Sequence, residues 1–251
     1  MIFKNLNTAI PIQSLEDWYL HAAPKQQEKH WVEGRSAMET ANLWLKGVPV
    51  EFENLVKSFQ LQSLEVAPEF VTKFDSHGGE GRNHDLFIRA KDAEGQITAI
   101  SIESKVDESF GEKVGQYSKL IQQKIKNKIP TNAGRRIADL YSKLLPDRSP
   151  EELPDIRYQL LTGIAGALAE AENQKAIRAV FIVQTLLTTS IDLKKRKSNQ
   201  RDLDNFIKEF SNGQYPGIQN GQLFGPFTIT WKKPMELWIG KYDVGTGPGP
   251  S

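Results

Sequence analysis

Three residues in the stretch "NHDLFIRAKDAEGQITAISIESKV" could do chemistry together: Asp85, Glu103 and Lys105. The runs "DLFIRA" and "ITAISIESKV", rich in Ile, Phe and Thr, read as two strands, with "KDAEGQ" and its Gly95 as the turn between them. A turn over residues 92–96 makes Lys91 face Ile97 and sets Asp85 directly across from Glu103. Side chains alternate along a strand, so Lys105 joins the same face. Two carboxylates a few ångströms apart repel unless a hard cation such as Mg2+ or Mn2+ sits between them, and an ammonium beside them can position an attacking water. That combination suits hydrolysis of a phosphodiester. A turn one residue shorter or longer would put the two carboxylates on opposite faces. The plain alternative is a solvated strand edge with no chemistry.

The surrounding elements follow from spacing and caps. "SLEDWYLHAAP" reads as a helix capped by Ser14 and stopped by Pro24, and "GRSAMETANLWLKG" as a second, with Ser36 as cap and Glu39 as its capping-box partner. "PVEFENLVKSF" carries Phe52, Leu55, Val56 and Phe59 at helical spacing. Residues 60–74 alternate like a strand but contain a proline. From Gly111 the period becomes helical again: Val114, Tyr117, Leu120, Ile121 and Ile125 mark an apolar stripe whose other face is basic. "AGRRIADLYSKLL" and "LPDIRYQLLTGIAGALAEAENQ" read as helices, the latter mostly buried, and "AIRAVFIVQTLL" as a strand covered on both faces. A basic loop around "KKRK", a helix in "LDNFIKEF" and a hairpin in "FTITWKKPMELWIGKY" complete the chain. This order of elements describes an α/β domain on a mixed sheet. It is expected to be one domain over residues 1–240, with 241–251, ending in "GTGPGPS", as a flexible tail.

Composition narrows the chemistry. The 251 residues contain no cysteine, which removes disulfides, thiolate zinc sites and cysteine nucleophiles, and leaves only oxygen or imidazole to hold a metal. The net charge is +1, yet residues 113–143 gather Lys113, Lys119, Lys124, Lys126, Lys128, Arg135, Arg136 and Lys143 against Asp139 alone. An array of cations like this can track phosphates, although a charged helix face is also what any solvated helix needs. No run of apolar residues is long enough to span a bilayer and the N-terminus lacks the order of a secretory signal, so a cytoplasmic protein is the expectation.

The pattern of Asp85 followed by Ile102-Glu103-Ser104-Lys105 and a helix resembles the signature of the PD-(D/E)XK nuclease superfamily. The longer string "GRSAMETANLW … NHDLFIRA … SIESKVDESFGEKV … RYQLLTGIAGALAEA" resembles an uncharacterised bacterial family within it, over most of residues 31–210. The resemblance implies a restriction-endonuclease-like fold: a mixed central sheet flanked by helices, preceded here by N-terminal helices. It implies Asp85 and Glu103 as ligands of Mg2+ or Mn2+, the Ser104 carbonyl as a third, and Lys105 as the group that orients water. Glu39 would be the helical acid near the metal, and Gln116 a residue near the scissile phosphate. It implies a metal-dependent nuclease acting on DNA in preference to RNA, in restriction, repair or phage defence; a homodimer would suit double-strand cutting, although the sequence carries no dimerisation motif. The residue before Asp85 is His84 where the superfamily pattern has proline. The rival reading keeps the fold as a module that grips nucleic acid or a protein without cleaving.

Other residues have plainer roles beside their chemical ones. His84 could touch a phosphate or sit hydrogen-bonded in a loop. His77 precedes "GGEG", which lacks the Gly-Lys-Ser/Thr of a phosphate-binding loop. Arg157 on an apolar helix needs an acidic partner, for which Glu170 and Glu172 are in reach. The tryptophans are scattered, as core anchors rather than a stacking platform.

Overall fold

The computed structural model describes residues 2–6, 8–25, 27–189 and 192–246. Seven strands form one mixed sheet: β1 (Ile2–Phe3), β2 (Ser63–Thr72), β3 (Arg82–Lys91), β4 (Ile97–Lys105), β5 (Arg178–Leu187), β6 (Gln222–Thr230) and β7 (Pro234–Gly245). Their spatial order is β1-β2-β3-β4-β5-β7-β6. The β2–β3, β3–β4 and β6–β7 pairs are antiparallel; β1–β2, β4–β5 and β5–β7 are parallel. Helices α1 (Leu15–Ala22), α2 (Gln27–His30), α3 (Ser36–Trp44) and α4 (Val50–Leu55) precede β2. Helices α5 (Val114–Lys126), α6 (Ala133–Leu144) and α7 (Tyr158–Asn173) link β4 to β5, and α8 (Leu193–Phe210) follows β5. The chain is therefore α/β, with a mixed sheet between two helical layers.

Each face of the sheet has its own core. On one, Trp18, Trp44 and Phe52 from α1, α3 and α4 pack against Val66, Ile88, Ile100, Ile102 and Ile182. On the other, α6, α7 and α8 cover Phe87, Ala99, Phe181 and Val183. Glycines let α7 approach closely: a Cβ on Gly163 would lie 2.6 Å from the Phe181 ring, and one on Gly166 2.6 Å from His84.

The expected 92–96 turn is present, with Gly95 at φ 76° and the Gln96 carbonyl accepting from the Asp92 amide. The register is the expected one: Lys91 faces Ile97 and Leu86 faces Ile102. Ser14 caps α1, and its reciprocal partner is Asp17. Pro68 lies inside β2, opposite Leu86, but β1 pairs only with Glu65 and Val66, so no outer strand needs an amide at the proline.

Four expectations are corrected. Ser36 is the first residue of α3 rather than its cap; Arg35 holds that position without a side-chain cap. The "KKRK" segment is the start of α8, because Asp192 caps it through the Lys194 and Lys195 amides and Asp243 pairs with Arg196 at 2.6 Å. Helix α7 begins only at Tyr158, since the Pro154 and Ile156 carbonyls accept from Gly115 and Val114 and tie that segment to α5. Strand β7 runs to Gly245, so residues 241–245 belong to the sheet, and residues 247–251 lie outside the described residues. No helix among the described residues is long and apolar enough to cross a membrane.

The close approach of α7 gives a test of this packing. Gly163→Ala drives a methyl into the Phe181 ring and is expected to cost about 1–3 kcal/mol, read as a lower denaturant midpoint at unchanged slope. Equal midpoints for variant and wild type would contradict the contact.

Candidate functional site

The site is built where β3 parts from β4. The ladder between them ends at Leu86 and Ile102, one residue short of Asp85 and Glu103. On its other side β3 pairs with β2 through Leu86–Pro68 and His84–Phe70, skipping Asp85 and Glu69, and Glu69 has φ 47°. Asp85 thus sits at a break in both ladders. Its Oδ2 accepts from the Ser104 amide at 2.6 Å, so a side chain stands in for the missing backbone acceptor and fixes the mouth of the fork.

Alternation along β4 puts Glu103 and Lys105 on the α7 side and Ser104 on the other. Ser104 Oγ accepts from Gln184 Nε2 at 3.0 Å, while Gln184 Oε1 accepts from the Trp44 indole at 2.8 Å and from the Tyr242 hydroxyl. This buried network clamps β4 to β5, β7 and α3 at the residue between the two charged ones.

Glu103 is 1% exposed and Lys105 7%. Their side chains meet, Lys105 Nζ lying 2.6 Å from Glu103 Oε1, and Arg82 bonds Glu103 Oε2. Burial lowers the Lys105 and Arg82 pKa values, and the Asp85 carboxylate raises both in opposition. The two cations that touch Glu103 therefore also feel the Asp85 charge, although the expected Asp85–Glu103 pairing is not part of the ladder. Burial, then the Asp85 charge, pushes the Glu69 carboxyl up to about 8, against a hydrogen bond from Asn83 at 2.5 Å and the charge of Arg82. Glu69 and Arg82 were not anticipated; Glu69 comes opposite Asp85 only once β2 pairs with β3.

The remaining candidates lie elsewhere. Glu39 is buried and accepts from the Gly34 amide at 2.8 Å, which replaces the expected capping box. Gln116 is exposed and accepts from the Lys113 amide at 3.0 Å, the bond of a helix start. Both side chains are thus engaged by nearby backbone amides rather than by Asp85, Glu103 or Lys105. Next to Lys105, Glu108 accepts from the Ser36 and Val106 amides, and these bonds with the Lys105 charge outweigh burial to hold its pKa low. His84 is packed under Gly166 and stays neutral, since burial and then Arg82 hold its pKa well below the usual value; it is not available to phosphate. Arg157 pairs with Asp202 at 2.7 Å, not with Glu170 or Glu172. Lys119, Lys124, Lys126, Lys128 and Arg135 are exposed, whereas Arg136 is tied to Asp75 at 2.5 Å. Beside Arg82 opens a cleft of about 320 Å³, bordered by Asn83, Tyr117, Arg136, Tyr158 and Gln159.

The chain belongs to the family described as "Domain of unknown function (DUF6946)", whose model matches residues 11–242. No curated protein and no solved structure matches it.

The donor chemistry fits a hard cation. Asp85 and Glu103 supply oxygens, and Mg2+ is commonly held by one or two carboxylates with waters and substrate phosphate completing the shell. Among the described residues no three carboxylate, imidazole or thiol groups form a ready-made cage, and a cation reaching Glu103 must displace Arg82.

The burial of Glu69, with the Asp85 charge second, makes stability depend on pH. The folded carboxyl gives up its proton only near 8, whereas its ordinary value is 4.5. Its contribution is thus fully present below the ordinary value and lost as pH rises through the folded one. Urea midpoints are expected to fall from about pH 5 to about pH 8 more steeply in wild type than in Glu69→Gln. Parallel profiles would show that the folded Glu69 carboxyl is not raised.

Proposed function

We propose that the protein is a metal-dependent nuclease of the restriction-endonuclease-like type, with Asp85, Glu103 and Lys105 as its catalytic residues. The observation that carries this reading is the convergence of Asp85 and Glu103 on the same two buried cations at the fork of β3 and β4. Asp85, Glu103 and the Ser104 carbonyl would hold Mg2+ or Mn2+, which when bound neutralises charge on the scissile phosphate and acidifies water.

The chain's own groups divide the remaining work. Lys105, as the ammonium paired with Glu103, would orient the water that attacks phosphorus, and the proton of that water would pass to solvent. The bond from phosphorus to the leaving oxygen breaks, and that oxygen takes a proton from solvent. Arg82, released from Glu103, has a free Nε and can bind a phosphate oxygen. The exposed lysines of α5 and Arg135 give a backbone-tracking surface for nucleic acid, DNA in preference to RNA. A cytoplasmic location and a homodimer for double-strand cutting belong to the same proposal.

One observation favours the rival, a non-cleaving module on the same scaffold: Glu103 is already neutralised by Arg82 and Lys105. Incubation with plasmid, linear and single-stranded DNA and with RNA, under Mg2+, Mn2+ or EDTA, separates the two. Metal-dependent cleavage is expected, falling at least ~100-fold in Asp85→Asn, Glu103→Gln and Lys105→Ala. Intact substrates under every metal would leave the non-cleaving module; undiminished cleavage by Glu103→Gln would place the site elsewhere.

A further inference from the structure

We infer that the cleft beside Arg82 is a pocket for a single unstacked nucleobase, one that carries an exocyclic amine. The inference rests on the nucleic-acid reading above. It gives that site a specificity element in Tyr117, Tyr158, Gln159 and Asn83, which the hydrolytic step does not use.

The cleft's volume of about 320 Å³ is at the small end of ligand sites, of order 300–1,000 Å³, and suits one planar ring system. One wall is aromatic: Tyr117 of α5 and Tyr158 of α7 meet with ring centroids 4.7 Å apart at 45°, and Phe74 lies beneath. Tyrosine faces are what proteins offer to bases taken out of a stack. The wall is braced, since Tyr158 shares a hydrogen bond with Arg136, which Asp75 holds in turn.

The polar groups select for a donor. Gln159 Oε1 and Asn83 Oδ1 are buried without a hydrogen-bond partner, although both residues border the cleft. Asn83 cannot turn its amide over freely, because Nδ2 is held by the Glu69 carboxylate, so its oxygen faces away from Glu69. Buried acceptors left unpaired are costly, and a ligand that donates to them recovers that cost. The amines of adenine, cytosine and guanine each carry two hydrogens to donate, whereas thymine and uracil have a single imide N–H. Arg82 and Asn83 line this pocket and lie within three residues of Asp85 in β3, so a base seated here keeps its own strand close to the carboxylates.

Binding in EDTA, where no cleavage occurs, tests the pocket apart from the chemistry. End-labelled oligo(dA) and oligo(dC) are expected to bind about tenfold tighter than oligo(dT) or an oligonucleotide with an abasic centre. Gln159→Leu should erase the preference over oligo(dT); Tyr117→Ala should bring all strands to the abasic level, and Tyr117→Phe should restore binding, which excludes misfolding as the cause. Equal affinity of oligo(dA) and the abasic strand, or a preference that survives Tyr117→Ala, overturns the pocket. Competition by free AMP as strong as by oligo(dA) overturns its assignment to a base within a strand. Cleavage without base preference would sink the pocket and spare the nuclease reading; base preference without cleavage in Mg2+ would do the reverse.

Discussion

The hydrogen bond from the Ser104 amide to the Asp85 carboxylate holds the candidate site open. Antiparallel strands normally keep their ladder to the end, and had β3 and β4 done so, Asp85 and Glu103 would face each other as an ordinary cross-strand pair. Here the ladder stops at Leu86 and Ile102, and the side chain of Asp85 takes the amide a backbone carbonyl would have taken. The break makes a fork, and Arg82, Asn83 and Glu69 gather around it. Gln184, bonded to Ser104, Trp44 and Tyr242, keeps β4 fixed while β3 diverges.

The charges at the fork compensate one another. Burying Glu103 is tolerable only with a partner, and Arg82 and Lys105 both serve. Asp85 keeps these cations charged against their burial, while its own charge pushes the Glu69 carboxyl up. An extra positive charge among the carboxylates would relieve the Glu69–Asp85 repulsion and free Arg82 for another anion. That same exchange is what binding a divalent cation and a phosphate would require under the proposed function.

Much of this was legible in the sequence where the information is local. The 92–96 turn with Gly95 set the β3–β4 register, and alternation then put Glu103 and Lys105 on one face. Ser14, Gly95 and the run "AIRAVFIVQTLL" reported their structures directly. What stayed hidden depends on contacts far apart in the chain. Glu69 meets Asp85 across a pairing whose connection, residues 73–81, is too long for hairpin rules to fix. Glu39 and Gln116 stood at plausible spacings, but backbone amides close by claimed both side chains. The start of α8 read as a basic loop because Asp192 and Asp243, which make it tolerable, act from outside the basic run. Tyr117 and Tyr158 come together only because α5 and α7 are tied at Gly115 and Pro154.

The central claim is that Asp85 and Glu103 jointly hold a divalent cation, and titration of Mn2+ followed by the loss of its free-ion electron paramagnetic resonance signal measures this without reference to any substrate. Wild type is predicted to take up Mn2+ saturably, with Asp85→Asn and Glu103→Gln each weakening uptake about tenfold or more, and Glu39→Gln leaving it unchanged. No saturable uptake by wild type, or uptake undisturbed in Asp85→Asn, would contradict the account.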